Sequence, residues 1–149
     1  MTFTRLIVVL ASLVCLATGA PTVNEPKVTQ IFLKDLPDIP GKEGLMLSVE
    51  YPPGSVDPIH RHNANAFVYV LEGSIVMQVK GGKEITLTPG QSFYEGPNDI
   101  HTVGRNASTT KPAKFIVVLL KNKGAPVLIP TNPKSGSVSS SSKSNSGEM

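Results

Sequence analysis

Residues 54–62 read Gly54-Ser-Val-Asp-Pro-Ile-His60-Arg61-His62. On a β-strand, side chains two positions apart point to the same face, so His60 and His62 project together and Arg61 projects away from them. Two imidazoles on one face can bind a single ion at about 2.0–2.1 Å each. These nine residues therefore predict a turn, followed by a strand that supplies two ligands to a metal.

His101 is the only other histidine in the chain. It follows a turn-like segment at residues 95–99 and opens a short apolar stretch. A lone histidine is usually a satisfied surface or core residue, and an isolated His-x-His pair is a weak signal, but all three histidines fall within residues 60–101. We therefore predict that His60, His62 and His101 together hold one divalent metal ion.

The sequence around the histidines is rich in short β-branched and apolar runs, and it shows almost no helical periodicity. Gly, Pro, Asn or Asp closes each run, and many short strands with regular turn signals are typical of a β-sandwich or a closed barrel. Short turns at Gly73 and at residues 81–82 predict two consecutive antiparallel hairpins. The predicted strands are residues 29–33, 45–51, 66–71, 74–79, 84–87 and 114–120.

Two motifs in this sequence resemble those of the cupins. The first is the stretch from Gly54 to His62, with Gly73 beyond it, and the second runs from residue 89 to His101, with Asn106 beyond it. The resemblance covers roughly residues 40–122. It implies an all-β jelly-roll barrel with a metal ion held by His60, His62 and His101, and it implies oxygenase, isomerase, cyclase or decarboxylase chemistry as the range of activities.

The sequence departs from the cupin pattern at Ala66, where the family has a metal-binding glutamate four residues after the second histidine. A three-histidine site without a carboxylate leaves more positions open to water or substrate. It disfavours Mn²⁺ and favours Zn²⁺, Cu²⁺, Ni²⁺ or Fe²⁺ as the ion. The same departure also fits a site that has lost most of its affinity for metal.

Several polar residues near the motifs are candidates for supporting roles. Glu95 and Tyr94 are expected near the barrel mouth as an acid or a hydrogen-bond donor, and Asp99 as a distant ligand or an acceptor that orients His101. Asn63 and Asn65 are candidates for hydrogen bonds to a metal-bound water. Each of these residues is equally interpretable as a loop residue that satisfies backbone groups.

The two ends of the chain are predicted to lie outside the barrel. Residues 1–20 hold one basic residue, Arg5, then about a dozen apolar residues and a small-residue cleavage zone, the pattern of a secretory signal peptide. We expect an N-terminal arm at residues 21–40, the barrel at 41–129, and a serine-rich disordered tail at 130–149. Cys15, the only cysteine, lies within the signal, so no disulfide is expected in the mature protein.

The overall charge gives little indication of a partner. The formal charge of +3 falls to +2 when Arg5 is removed, and the lysines are scattered rather than clustered. Neither a nucleic-acid partner nor a membrane anchor is therefore expected. The sequon at residues 106–108 predicts a glycoprotein with Asn106 exposed, and cupins commonly pair as homodimers.

Two main functions remain open on the sequence, with the enzyme only modestly favoured. The first is a secreted metal-dependent enzyme, an oxidoreductase or isomerase, that acts on a small molecule. The second is a non-catalytic extracellular protein, similar to germins and spherulins, that binds a small ligand or a metal. A third interpretation is a structural barrel that the metal braces.

Overall fold

The computed structural model describes residues 24–131. The predicted signal peptide, and the tail beyond residue 131, lie outside the described residues. The described chain forms ten strands: β1 Lys27–Asp35, β2 Lys42–Tyr51, β3 His60–Arg61, β4 Ala64–Glu72, β5 Ile75–Val79, β6 Ile85–Leu87, β7 Ser92–Glu95, β8 His101–Asn106, β9 Ala113–Asn122 and β10 Ile129–Pro130.

The strands form two antiparallel sheets of five. The first sheet has the order β1-β2-β9-β4-β7, and the second has the order β10-β3-β8-β5-β6. From β2 onward the chain crosses repeatedly between the sheets, so that strands distant in sequence, such as β2 and β9, become neighbours. The result is the all-β jelly roll that the sequence predicts, and within residues 24–131 no helix is long and apolar enough to cross a membrane.

The core lies between the sheets because apolar side chains alternate along the central strands. In β2 and β9 every second residue is buried, and its neighbours face outward. Burying one face of each sheet is the main stabilising contribution to such a fold. The buried apolar side chains include Leu45, Leu47, Val49, Tyr51, Val68, Val70, Ile75, Met77, Phe115, Val117 and Leu119.

The six predicted strands and the strand predicted at the histidine pair, β3, are all present, and the structure adds β7, β8 and β10. The hairpin predicted across residues 81–82 is confirmed, since β5 pairs with β6. The hairpin predicted at Gly73 is wrong, because β4 and β5 belong to different sheets. Gly73 instead carries the chain between the sheets at φ 69°, where a Cβ would lie 2.4 Å from the carbonyl oxygen of Pro112. Only glycine fits this crossing.

Both ends of the described chain pair with the barrel. β1, within the range expected to form an arm, pairs with β2 along nearly its whole length. Residues 122–131, which we call the closing segment, lead from β9 to β10, and β10 pairs with β3 beside the histidines. The amide of Thr131 also donates to the carbonyl of Ile59 at 3.1 Å. The closing segment thereby lies against the strand that carries His60.

Candidate metal centre

The three histidines converge on one point inside the barrel. His60 lies on β3 directly opposite His101 on β8, and His62 follows immediately after β3. The Nε2 atoms of His60 and His62 are 3.2 Å apart. His60 and His101 are almost fully buried. The strand geometry expected from the His-x-His spacing is thus what brings the two imidazoles of the first motif together.

Backbone carbonyls fix the orientation of each imidazole. Nδ1 of His60 donates to the carbonyl of Pro58 at 2.8 Å, and Nδ1 of His62 donates to that of Val127 at 2.6 Å. Nε2 of His101 donates to the carbonyl of Val103 at 2.6 Å. Because one ring nitrogen of each histidine carries the donated proton, the other nitrogen presents a lone pair to the shared point. This arrangement is typical of metal-binding histidines.

Glu95 supplies a carboxylate to the same point. It ends β7, is 2% exposed, and lies directly opposite Ala66 of β4 in the antiparallel pairing. Residues opposite one another in such a pair have Cβ atoms about 4.5–5.5 Å apart on the same face. The carboxylate missing from position 66 is therefore replaced from the neighbouring strand.

The spacing of the four side chains fits one ion. One donor atom from each of His60, His62, Glu95 and His101 lies within 4.8 Å of the others. Glu95 oxygens lie 3.8 Å from Nε2 of His62 and 3.4 Å from Nδ1 of His101. Ligands each about 2.1 Å from one ion are about 3.0 Å apart at a right angle and about 4.2 Å apart when opposite. The two distances from the Glu95 oxygens fall in this range.

Two polar atoms of the cluster have no hydrogen-bond partner although they are buried. They are Oε2 of Glu95 and Nδ1 of His101. A buried polar atom without a partner costs about 1–3 kcal/mol. In addition, the lone pairs of His60 and His62 face one another and repel unless a cation lies beside them. A divalent ion would satisfy all of these atoms at once, so the residues present fit the metal.

Burial also shifts the titration of these groups toward their neutral forms. Burial, with smaller contributions from the charges of Asp99 and Asp57, raises the pKa of Glu95 to about 7. Burial, with the nearby His60, lowers the pKa of His101 to about 4. The pKa values of His60 and His62 are also lowered by burial. The histidines are therefore neutral, as metal ligands must be, at ordinary pH.

A small cavity of about 90 Å³, partly open to solvent, adjoins the cluster. Its polar end includes Asp57 and Tyr51 beside the four candidate ligands, and the tyrosine hydroxyl donates to the Asp57 carboxylate. Gly104 leaves the space between Asp57 and His101, since a Cβ there would lie 2.8 Å from Oδ2 of Asp57. The sequence interpretation did not identify Asp57 or Tyr51 as site residues. Asp57 stands three positions before His60 in the first motif, and that proximity was the available signal.

The other candidates do not join the cluster. Tyr94 is half exposed on the outer face of its sheet, where its hydroxyl donates to Oδ1 of Asn65 at 2.7 Å. Asp99 accepts from the amide of Gly96 at 2.7 Å, which closes the turn before β8. Asn63 occupies the left-handed region at φ 48° between β3 and β4. Of the five polar side chains considered beside the histidines, only Glu95 belongs to the cluster.

Asn106 is buried, so the expectation that the sequon is exposed is wrong. Its Nδ2 donates to the carbonyls of Tyr51, Pro52 and Lys111, and its Oδ1 accepts from the amide of Ser108. The residue is 5% exposed. The amide nitrogen that would carry a glycan is therefore committed to holding two loops together.

The barrel has the architecture of a cupin, with a four-residue cluster that could hold a metal ion, and the comparisons agree on the fold. Residues 47–119 match the family model described as the cupin domain, so this chain belongs to the cupin family. No curated protein matches the sequence.

Solved structures share the fold at low sequence identity. A conserved protein with a double-stranded β-helix domain from Klebsiella pneumoniae has a TM-score of 0.58 at 17% identity, over 75% of this chain and 90% of that one. A recombinant oxalate oxidase in complex with glycolate has a TM-score of 0.56 at 21% identity, over 74% and 57%. The DMSP lyase DddQ from Ruegeria pomeroyi has a TM-score of 0.54 at 21% identity, over 61% and 44%. This chain thus spans less than half of the lyase, and the likeness concerns the fold alone.

Proposed function

We propose that this protein is a secreted cupin that holds one divalent metal ion through His60, His62, Glu95 and His101 and binds or converts a small molecule in the adjoining cavity. The observation that carries the proposal is the pair of buried, unpartnered donor atoms, Oε2 of Glu95 and Nδ1 of His101, within a four-residue cluster. Three imidazoles and one carboxylate suit Zn²⁺, Fe²⁺, Cu²⁺, Ni²⁺ or Mn²⁺.

The residues around the ion have separate tasks in this proposal. When bound, the ion supplies Lewis-acid or redox chemistry at its open positions. The carbonyls of Pro58, Val127 and Val103 hold the histidine rings in place, and the apolar cavity walls limit access of water. The carboxylate of Asp57 accepts a hydrogen bond from the Tyr51 hydroxyl, and burial raises the pKa of Asp57. Asp57 is therefore suited to take or return a proton beside the ion.

The enzyme is favoured over a pure binding protein because Asp57 lies in the cavity without belonging to the ligand cluster. A carboxylate in that place is what general acid–base catalysis requires. Structural relatives named as an oxidase and a lyase illustrate that this fold supports chemistry on small molecules. The second candidate, a non-catalytic extracellular binding protein, is favoured instead if Asp57→Asn leaves every ligand-dependent property unchanged.

Elemental analysis of the purified protein tests the metal proposal directly. We expect one equivalent of a divalent transition metal in the wild type and in Arg61→Ala, and none in the His60→Ala/His62→Ala double variant. Arg61 is the matched control because it lies between the two histidines in the chain, at the end of β3, and is not one of the four clustered residues. Metal-free wild type that takes up no ion on reconstitution would overturn the proposal.

Secretion is part of the proposal and rests on the signal-like pattern of residues 1–20. Expression of the full chain in a secreting host, followed by N-terminal sequencing of the protein in the medium, tests it. We expect a new N-terminus between residues 18 and 21, whereas retention of Met1 inside the cells would contradict secretion.

We also expect no glycan at Asn106 in the folded protein, because its amide is buried and fully bonded. Intact-mass measurement checks this.

We further propose that the protein pairs as a homodimer through the outer face of the first sheet. One cross-strand row on that face runs through all five strands, and its members are Phe32, Met46, Val118, Phe67 and Tyr94. Phe32, Phe67 and Tyr94 are about half exposed. An apolar row of this length on a soluble surface marks an interaction site, and a two-fold axis through it would bring like residues together.

Sedimentation equilibrium distinguishes the homodimer from a monomer. We expect a dimer for the wild type and a monomer for Phe67→Asp, with Val56→Asp as the control because Val56 is exposed but lies outside this face. A wild type that remains monomeric at concentrations of about 100 μM would contradict the pairing, since specific interfaces of standard size bind more tightly than this.

A further inference from the structure

The walls of the cavity are apolar everywhere except at the metal centre. Side chains from several strands face inward to form them, and Tyr51 packs edge-on against Phe115 at 4.9 Å. Val28 and Leu128, which remain exposed, form part of the mouth between β1 and the closing segment. The apolar walls are made chiefly by Leu47, Val49, Val68, Met77, Phe115 and Val117.

The charged residues that line the cavity are all acidic or metal-binding. Glu95 and Asp57 are the two carboxylates, the three histidines are the candidate ligands, and no Lys or Arg is among the lining residues within the described chain. With a divalent ion bound, two ionised carboxylates and neutral imidazoles give a net charge of zero. A ligand with two negative charges would therefore have no cation to meet its second charge, and burying an unpaired charge is costly.

We propose that this cavity takes a small molecule with one metal-chelating oxygen head, at most one negative charge and an apolar body, and that it excludes short dianions. This inference rests on the proposed metal centre and specifies the ligand class for it. The chelating head lies at the ion, and the apolar body lies along the walls formed by Leu47, Val49 and Val117. Asp57, at the polar end, repels a second anionic group.

The test uses zinc-loaded protein and a set of chelating probes of increasing length. The affinities of acetohydroxamate, butyrohydroxamate and hexanohydroxamate are measured by isothermal titration calorimetry beside that of oxalate, and the metal content is checked before and after. Burying each methylene is expected to strengthen binding about fourfold, so butyrohydroxamate should bind more than about tenfold more tightly than acetohydroxamate. Oxalate should bind more weakly than any of the three.

Two neighbouring valines on opposite faces of β9 provide matched variants. Val117→Phe fills the cavity and should abolish the gain with chain length, while Val118→Phe, on the outer face, should preserve it. Should Val117→Phe fail to fold, Asp57→Asn tests the charge argument independently. Removing this negative charge while keeping the Tyr51 hydrogen bond should raise the affinity for oxalate at least about tenfold relative to acetohydroxamate.

The outcomes separate this inference from the metal proposal. If the protein takes up no zinc, the proposed function is overturned, and so is the proposal that a chelating group binds at the ion. Protein that takes up zinc but binds the three hydroxamates equally, or binds oxalate as tightly as acetohydroxamate, overturns only the ligand class. Equal oxalate affinity in the wild type and Asp57→Asn would likewise contradict the role of charge.

Discussion

Two buried clusters of charged side chains lie in the barrel. In only one of them does every buried polar atom have a hydrogen-bond partner within the described structure. At the first, Lys121 of β9 donates to Glu43 of β2, and to the carbonyls of Asn122 and Ala125. The amide of Gly124 also donates to Glu43 at 3.3 Å. Both charged side chains are about 5% exposed, and neither has a buried polar atom without a partner in the described structure.

The histidine–glutamate cluster differs because its own atoms cannot satisfy one another. Neutral imidazoles present lone pairs to a carboxylate, so acceptors face acceptors and two atoms remain unpartnered. A lysine beside a glutamate combines donors with acceptors and requires nothing further. The difference shows that burial and charge alone do not identify a functional site. The informative feature is a set of buried groups of the same hydrogen-bonding type that converge on one point.

Metal addition should have the largest effect at the histidine–glutamate cluster. Zn²⁺ at a thousandfold excess over its dissociation constant should stabilise the folded protein by about 4 kcal/mol, because only the folded chain assembles the four ligands. Thermal unfolding with and without metal measures this. The His60→Ala/His62→Ala variant should show no such increase. A stabilisation that persists in that variant would place the binding elsewhere.

The pH dependence of the metal-free protein should reveal the cost of burying Glu95. Burial raises the folded pKa of Glu95 from its ordinary value of 4.5 to about 7, so the protonated carboxyl contributes stability at low pH. This contribution is lost as the pH rises from about 4.5 through 7, and it amounts to about 3 kcal/mol at most. Because the lowered pKa values of the histidines act in the opposite direction below about pH 6.5, the measurement compares the wild type with Glu95→Gln. In urea unfolding between about pH 4.5 and 8.5, the free energy of unfolding of the wild type should fall relative to that of Glu95→Gln as the pH rises. Parallel profiles for the two proteins would contradict the raised pKa.

Moving the carboxylate across the strand pair should restore binding that its removal weakens. Glu95→Ala alone should reduce metal affinity by at least about 10–100-fold. Adding Ala66→Glu should recover most of this loss, because positions 66 and 95 lie opposite one another and face the same ion. Competition with a metal-binding dye measures both variants. No recovery in the double variant would show that the two positions are not equivalent.

Substitutions in the Lys121–Glu43 cluster should have the smallest effect on metal binding. Lys121→Met removes the donor and leaves Glu43 buried without its partner, so the melting temperature should fall. The Glu43→Leu/Lys121→Met double variant should fall less, since no charge is left unpaired. Both should still bind one equivalent of metal. Loss of metal from the double variant would show that the two clusters are coupled through the closing segment.

The sequence predicted the strands that carry clear alternation and the ligands that stand close together. Residues 45–51 and 114–120 became the central strands β2 and β9 because apolar side chains occupy every second position. Strand geometry alone predicted that the side chains of His60 and His62 point to the same side. In contrast, β7 was missed because Ser92–Glu95 is only four residues long and has no distinctive composition.

The sequence by itself determined the fold class, the three histidines and the absence of a carboxylate at position 66. Only the tertiary structure decided that Glu95 replaces that carboxylate, that Asp57 and Tyr51 line the cavity, and that Asn106 is buried. The physical reason is that strand spacing places residues i and i+2 on one face locally, whereas Ala66 and Glu95 are brought together by the register of β4 with β7. Register depends on how whole sheets pack, and no short segment of the sequence encodes it.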